Sequence, residues 1–325
     1  MPISDARRAD GPEADGLKSG GIDLSTSVGG LRFRSPMMTA SGTAGHGDEL
    51  AAYLDLGAIG AVVVKSLRHE PWPGNPAPRV HQTAAGMINS VGLQGKGVAH
   101  WLAHELPPLL ATGATVVASI WGTDVDDYAR AALLLADAPP EVVAVEVNAS
   151  CPNHHHANQM FAHSVSGITE VTEAAAACGR PTWVKLSPNV TDLPTMAAAA
   201  QNAGADAVTL VNTVMGMVLD LETRRPLLAG GRGGGLSGPA IHPVAVRAVY
   251  EVRAALPDLP IVGVGGVATG EDAVELLVAG ASAVQVGTAS FADPRAIARI
   301  TRELELWCSK HGVRTVRELI GGAHV

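Results

Sequence analysis

Cysteine is scarce in this chain, which has only Cys151, Cys178 and Cys308 among 325 residues. So few separated thiols exclude a disulfide framework, and they cannot ligate an iron–sulfur cluster, which takes about four cysteines. Cys178 and Cys308 lie in helical patterns typical of packing residues. Any iron–sulfur chemistry linked to this chain therefore requires a second protein.

Aromatic residues are also scarce, and long apolar runs and an excess of positive charge are absent. Only 3% of residues are aromatic against 47% hydrophobic, so the core is built from Ala, Val, Leu and Ile. No apolar run approaches the roughly 18–20 residues that span a bilayer. The formal net charge of −8 argues against nucleic acid or an anionic membrane as a partner.

Residues 1–21 are rich in Asp, Arg, Gly and Pro and lack the apolar core of a signal peptide. We predict that this segment is disordered or loosely packed, that residues 22–325 form a single domain, and that the protein is cytoplasmic.

Short apolar segments alternate with Ala- and Leu-rich helical patterns after a hairpin at 27–34 that turns at Gly29-Gly30. The predicted strands cover residues 37–40, 58–64, 115–120, 142–147, 182–186, 207–211, 260–264 and 282–286. Helical patterns include 126–136, 191–203 and 271–279, with Asp124, Asp126 and Asp127 as helix-start residues. Eight such units predict an α/β fold, a (β/α)8 TIM barrel; a doubly wound sheet is the alternative but rarely needs eight consecutive units.

Longer excursions follow several predicted strands. Residues 69–97 follow strand two and 215–238 follow strand six, and the loop after strand four is also elaborated. These loops lie at the carboxyl ends of the strands, where barrel enzymes carry their sites.

The loop after strand four has the most reactive side chains and reads Asn-Ala-Ser-Cys-Pro-Asn from Asn148 to Asn153. Two carboxamides can hold a planar heterocycle by paired donors and acceptors, and the thiol of Cys151 can exchange a proton. His154, His155 and His156 follow directly, but three consecutive histidines cannot easily face one metal ion. We predict no metal site and interpret the histidines as part of a solvated or lid-like loop.

Lysines end two of the apolar strands, in Lys65-Ser66 and in Trp183-Val-Lys185. Lysines without a functional role usually lie on helix surfaces. A lysine at the end of an apolar strand is unusual, which indicates a functional role for Lys65 and Lys185. The small residues Ala40, Ser41 and Gly42 after strand one leave room for a flat ring, although an ordinary turn explains them equally well.

Glycines end the last two strands, in Gly263-Val-Gly265-Gly266 and in Gly287-Thr288. Loops at these two positions commonly bind phosphate in such barrels, which favours a phosphate-bearing cofactor. The glycine-rich segment 230–238 is either a flexible loop or contributes its last residue, Gly238, to the same phosphate site.

Asparagine follows several different strands, at Asn89, Asn148, Asn153 and Asn212. A single loop Asn is usually a turn former. Four on one face indicate a polar, uncharged ligand with several heteroatoms.

These motifs together resemble the class 1 dihydroorotate dehydrogenases from about residue 22 onward. The matching stretches are Thr39-Ala-Ser-Gly42, Gly74-Asn-Pro-Ala-Pro-Arg79, Asn89-Ser-Val-Gly-Leu93, Asn148-Ala-Ser-Cys-Pro-Asn153, Val184-Lys-Leu-Ser-Pro-Asn189, Val211-Asn-Thr213, Gly235-Leu-Ser-Gly-Pro-Ala240, Gly263-Val-Gly-Gly266 and Val286-Gly-Thr288. Thr213 and the segment 216–223 look most like the NAD-linked class 1B catalytic subunit.

The resemblance implies a barrel that holds FMN and oxidises (S)-dihydroorotate to orotate in pyrimidine biosynthesis. The implied FMN-binding residues are Ala40, Ser41, Gly42, Lys65, Ser66, Ser119, Asn148, Lys185, Val211, Gly238, Gly265, Gly266, Gly287 and Thr288. The implied substrate-binding residues are Lys65, Asn89, Ser90, Val91, Gly92, Leu93, Asn148, Asn153, Asn212 and Thr213. Cys151 is implied to be the general base, and Lys185 to stabilise the anionic reduced flavin.

The same resemblance implies a homodimer and a partner subunit that carries FAD and a [2Fe–2S] cluster. Three features depart from the subgroup: Ser119 where Asn is frequent, Trp121 where Ala is usual, and Gly95 where Asn is common. With the His154–His156 segment, they keep open an alternative, a paralogue acting on another dihydropyrimidine or related cyclic amide. Cys151 and both lysines disfavour a non-enzymatic flavin-binding subunit.

Overall fold

The computed structural model of the chain describes residues 21–150, 160–231 and 233–324. Its strands are β1 (Thr26–Val28), β2 (Leu31–Phe33), β3 (Met37–Thr39), β4 (Val62–Val63), β5 (Val80–Thr83), β6 (Gly86–Asn89), β7 (Val116–Ile120), β8 (Val142–Asn148), β9 (Thr182–Lys185), β10 (Ala207–Leu210), β11 (Val214–Gly216), β12 (Leu219–Asp220), β13 (Arg225–Pro226), β14 (Gly234–Ser237), β15 (Ile261–Val264) and β16 (Ala283–Val286). Its α-helices are α1 (Val98–His100), α2 (Leu106–Ala111), α3 (Val125–Leu135), α4 (Val165–Ala175), α5 (Leu193–Asn202), α6 (His242–Ala255), α7 (Gly270–Ala279), α8 (Ala289–Ala292) and α9 (Ala296–Lys310).

Eight parallel strands form one sheet in the order β3-β16-β15-β10-β9-β8-β7-β4. The two ends of this order meet, because Gly60 N donates to Met37 O at 2.8 Å and Met38 bridges Ala61 in parallel. Around the resulting ring the strands follow chain order, and helices lie between most of them. The predicted TIM barrel is confirmed.

Local signals set the helix starts close to their predicted positions. The Asp124 carboxylate accepts a hydrogen bond from Asp127 N at the start of α3, and Thr269 and Asp272 form a capping box on α7. The second barrel strand is shorter than predicted, Val62–Val63 instead of 58–64. Residues before it are in a turn, in which Ala58 N donates to Asp55 O at 3.2 Å.

The inside of the barrel is divided into an apolar and a polar part. At the amino-terminal side, one buried cluster combines inward-facing residues of the barrel strands, including Met38, Val63, Ala144, Trp183 and Val262. Because strand side chains alternate in direction, the next inward position lies two residues later on each strand. It is polar on six of the eight barrel strands, whereas the other two carry Ala40 and Val264 there. The mouth of the barrel, meaning the carboxyl ends of its strands, is therefore polar and buried.

The predicted N-terminal hairpin is confirmed as β1 and β2, and it closes the opposite end of the barrel. Phe33 contacts Trp183 edge-to-face with ring centroids 5.9 Å apart. Both turn glycines have positive φ, 55° at Gly29 and 79° at Gly30, which a Gly-Gly turn accommodates without steric cost.

The excursions after barrel strands two and six are not irregular loops. They pair with one another in a four-stranded antiparallel sheet, β11-β14-β6-β5. Part of the glycine-rich segment 230–238 is consequently strand β14, which corrects the interpretation as a flexible loop. We refer to this element as the excursion sheet.

Two predictions fall wholly or mainly outside the described residues. One is the loosely packed N-terminal segment 1–21, of which only Gly21 is described. The other is the elaborated loop after the fourth barrel strand, most of which also lies outside the described residues. No described helix has both the length and the apolar character needed to cross a membrane.

Candidate active site

A row of hydrogen-bonded side chains crosses the mouth of the barrel. Ser66 and Ser119 hydroxyls lie 2.9 Å apart, and Asn148 Nδ2 donates to Ser66 Oγ at 3.1 Å. Asn212 Nδ2 donates to Asn148 Oδ1 at 3.2 Å, and Asn212 Oδ1 accepts from Thr213 N at 2.8 Å. The structure thus brings together five residues that the sequence predicted on four different strand ends.

The first three residues of this row are almost completely buried, with Ser119 inaccessible and Asn148 5% exposed. Tyr128, on α3, donates its hydroxyl proton to Asn148 O at 2.9 Å and so supports the end of β8. Such a buried and supported row of hydroxyls and carboxamides suits a planar ligand with several heteroatoms.

Lys185 lies beside this row, only 4% exposed, at the end of β9. Its Nζ donates to Ser41 Oγ at 3.3 Å and to Gln285 Oε1 at 3.2 Å, and lies 3.7 Å from Glu146 Oε1. The first-strand loop and the fifth strand are therefore joined through a cation, and the contact brings together Ser41 and Lys185, two of the predicted FMN-binding residues.

Lys65, the other strand-end lysine, has a different environment. Burial, together with the positive charge of Arg79, lowers its pKa from the ordinary lysine value. Among the residues that the structure describes, no carboxylate forms an ion pair with Lys65. A half-buried ammonium without a counter-ion is suited to an acceptor atom or an anionic group of a ligand.

The glycines after the last two barrel strands converge, as predicted, with Gly238 from the end of the excursion sheet. A Cβ on Gly266 would lie 2.9 Å from Gly238 O, and one on Gly287 would lie 3.3 Å from Ala40 Cβ. Thr288 Oγ1 donates to Ser237 Oγ at 2.8 Å. Glycines leave few side chains at this corner, and backbone without side chains permits close approach by a phosphate group.

The excursion sheet carries Asn89 to the same mouth. Asn89 Nδ2 donates to Gly235 O at 3.3 Å, while a Cβ on Gly235 would collide with Thr213 Oγ1 at 2.0 Å. Asn89 and Thr213, predicted to bind one substrate, therefore flank the same glycine. The segment Ser90–Leu93 follows, held by Asn75, whose Nδ2 donates to Ser90 O at 3.0 Å.

Several predicted residues lie outside the described part of the chain. These are Cys151, Asn153 and the three histidines His154–His156. The chain enters that segment at Ser150, whose Oγ donates to Lys185 O at 3.2 Å. Ala40, Gly42 and Val211 are at the barrel mouth, at the strand ends where the sequence predicted them.

The departures Trp121 and Gly95 lie along the outer side of the mouth. Trp121 is buried against Trp72 in an edge-to-face contact, with centroids 5.7 Å apart, and Trp72 pairs with Gly95 through two backbone hydrogen bonds. His46 Nε2 is buried without a hydrogen-bond partner among the described residues, and burial lowers its pKa. A cavity of about 650 Å³ borders this region and reaches Lys65.

Sequence reasoning missed the buried polar residues beneath the mouth. Glu146, Thr209 and Gln285 are fully buried, and Thr209 and Gln285 each donate a hydrogen bond to Glu146. The sequence does contain a signal for them, because Glu146 is a charged residue inside the apolar run 142–147. Burying such a residue is costly unless a polar partner faces it, so Glu146 by itself predicts polar partners on neighbouring strands. Asp127 was predicted only as a helix-start residue, but it also accepts hydrogen bonds from Arg68 Nε and Nη2, at 3.0 and 2.8 Å.

Comparisons with known proteins agree with this architecture. The profile of the family described as dihydroorotate dehydrogenase matches residues 23–307. The chain is 45% identical over 304 residues to the "Dihydroorotate dehydrogenase B (NAD(+)), catalytic subunit" of Geobacter metallireducens, covering 93% of this chain and 99% of the relative. It is 47% identical over 304 residues to the protein of that description from Desulforudis audaxviator, covering 93% and 98%.

Proposed function

Because the chain belongs to the dihydroorotate dehydrogenase family, we propose that it oxidises (S)-dihydroorotate to orotate with FMN as its bound oxidant. This is the oxidation step of pyrimidine biosynthesis, and it acts on a CH–CH bond. The observation that carries the proposal is the hydrogen-bonded row from Ser119 to Thr213, next to the strand end that carries the buried Lys185.

The residues present fit FMN. The corner formed by Gly238, Gly266 and Gly287 suits a phosphate, and the small residues Ala40–Gly42 leave space for a flat ring. Ser66, Ser119 and Asn148 offer both donors and acceptors to a heterocycle, and the buried Lys185 ammonium suits its electron-rich end. The remaining residues that would hold FMN are Ser41, Lys65, Val211, Gly265 and Thr288.

The residues around the excursion sheet would position dihydroorotate. Asn89, Asn212 and Thr213 present amide and hydroxyl groups for its ring, with Asn148 between substrate and cofactor. The backbone of Ser90–Leu93 and the side chain of Asn153 would complete this set. Lys65, which has no carboxylate partner among the described residues, would meet the substrate carboxylate or a ring oxygen.

Cys151 would act as the general base. Its thiolate would take the proton from C5 while the hydride leaves C6, so that the C5–C6 double bond forms. A thiol has a reference pKa of about 8.5, which needs only modest tuning for proton transfer near neutral pH. When bound, FMN supplies the two-electron acceptor for that hydride.

A variant at position 151 tests this assignment. We expect Cys151→Ala to retain FMN, with its yellow spectrum, and to lose reduction of the flavin by dihydroorotate by at least about a hundredfold at pH 7. Stopped-flow absorbance under anaerobic conditions measures both.

Cys178→Ala is the matched control, because it removes a buried thiol away from the mouth and should reduce flavin at the wild-type rate. Fast reduction in Cys151→Ala would exclude the thiol as base. If the wild-type protein binds FMN but turns over dihydrouracil and not dihydroorotate, the assignment of dihydroorotate as the substrate is wrong.

A further inference from the structure

Glu146 is a charged residue in the closed interior of the barrel. It lies on β8, two residues before Asn148, and its side chain has no exposure to solvent. A carboxylate removed from water to this extent is costly unless neighbouring groups compensate it.

The compensation comes from three other barrel strands. Glu146 Oε2 accepts hydrogen bonds from Thr209 Oγ1 at 3.1 Å and from Gln285 Nε2 at 2.8 Å. Glu146 Oε1 accepts no hydrogen bond from any described residue, and Lys185 Nζ lies 3.7 Å from it.

The Gln285 amide connects the two charges. Its oxygen accepts from Lys185 Nζ at 3.2 Å, and its nitrogen donates to Glu146. A flipped amide would turn its NH₂ toward the ammonium and its oxygen toward the carboxylate, so both charges favour this orientation. The ammonium is therefore held in a fixed position, with Ser41 on its other side.

We propose that Glu146 is a positioning residue that acts on the flavin through Lys185, by holding the ammonium in place and offsetting part of its charge. The inference rests on the proposed function, because it concerns FMN bound against Lys185. Burial makes the effect strong, since charges interact far more strongly in the barrel interior than in water.

The sign of the effect follows from the net charge. A Lys185–Glu146 pair has no net charge, whereas Lys185 beside a neutral residue leaves one positive charge near the flavin. An uncompensated cation stabilises an anionic reduced flavin, so removal of the carboxylate should raise the midpoint potential.

The test uses the full chain loaded with FMN. For Glu146→Gln we expect a two-electron midpoint potential about 30 mV or more above wild type, a tenfold change in the reduction equilibrium. The measurement is a dye-coupled redox titration carried out at the same pH for every variant. Glu146→Met, a neutral residue of similar size, should shift the potential in the same direction and replaces the Gln variant if that one does not fold.

Glu146→Asp is the control, because it keeps the charge and disturbs the packing. A reduction equilibrium constant within twofold of wild type in Glu146→Asp, which is about 9 mV in potential, together with the rise in the neutral variants, supports the proposal. An unchanged or lower potential in the neutral variants, or an equal rise in Glu146→Asp, overturns it. Failure of the proposed function is distinguishable, because wild-type protein would then not bind FMN or not be reduced by dihydroorotate.

Discussion

At the scale of single residues, the most informative departure from the subgroup is Gly95. Its missing side chain lies next to His46, since a Cβ built on Gly95 would be 3.5 Å from His46 Nε2. That nitrogen is buried without a partner among the described residues. The Asn common at this position in the subgroup would place an amide within hydrogen-bonding reach of the imidazole.

We therefore predict that Gly95→Asn stabilises the protein by about 0.5–1.5 kcal/mol. A new hydrogen bond to a buried polar atom and the lower entropy of the unfolded chain both contribute. The backbone at Gly95 is not in the left-handed region, and the Cβ would make only ordinary contacts. Urea denaturation of the apoprotein measures the change.

Gly95→Ala separates the two contributions, because it lowers the entropy of the unfolded chain without adding a polar group. If Ala stabilises as much as Asn, the hydrogen bond to His46 is not formed. A loss of stability in both variants would show that the surrounding backbone cannot accept a side chain at this position.

At the scale of elements, the excursion sheet holds Asn89 and Thr213, two residues that we propose bind the substrate, at the barrel mouth. Strand β6 pairs with β14, so that Asn89 lies opposite Gly235, and β14 pairs with β11, which begins at Val214 directly after Thr213. The sheet therefore sets the distance between Asn89 and Thr213. Because it lies outside the barrel ladder, it can shift without unfolding the core.

Gly235→Ala should therefore impair substrate binding more than stability. A Cβ at this position would meet Thr213 Oγ1 at 2.0 Å, so either Thr213 or β14 must move. We expect KM for dihydroorotate to rise about tenfold or more, which corresponds to roughly 1.4 kcal/mol, with FMN content unchanged. Steady-state kinetics and the flavin-to-protein absorbance ratio measure these quantities.

Gly216→Ala on β11 is the control, since a Cβ there would come no closer than 3.6 Å to its neighbours. It should leave KM within about twofold of wild type, below about 0.4 kcal/mol. Equal effects of both substitutions would mean that the sheet does not position Thr213 specifically.

At the scale of the whole molecule, the chain lacks the cysteines for an iron–sulfur cluster, having three in total. Relatives at 45–47% identity are described as the catalytic subunit of an NAD(+)-linked enzyme, a description that implies a separate partner subunit. We propose that electrons leave this chain for such a partner, one that carries FAD and a [2Fe–2S] cluster, and that the chain itself forms a homodimer.

The corresponding prediction concerns the electron acceptor. The purified chain with FMN should reduce a soluble dye with dihydroorotate, but it should reduce NAD⁺ at least about a hundredfold faster when the partner subunit is added. Anaerobic assays that follow NADH absorbance with and without the partner measure this. Rapid NAD⁺ reduction by the chain alone, or efficient reduction of fumarate, would contradict the proposed electron route.

The amino-acid sequence alone determined the barrel and the location of its site. Hydrophobic periodicity and helix starts are local properties, so the bounds of the eight barrel strands and of three helices could be predicted to within about four residues. Since parallel strands in a barrel all end on one face, the strand-end residues Ser66, Ser119, Asn148 and Asn212 were expected to meet, and they do.

Only the tertiary structure decided which inward-facing residues touch across the barrel and which excursions pair. Glu146, Thr209 and Gln285 come from three strands. The contacts that Glu146 makes with Thr209, Gln285 and Lys185 depend on the stagger of strands around the ring, which the local sequence pattern does not encode. The pairing of Asn89 with Gly235 likewise joins segments 146 positions apart. Long-range register of this kind is set by packing and hydrogen bonding of the whole fold, so it becomes visible only in the structure.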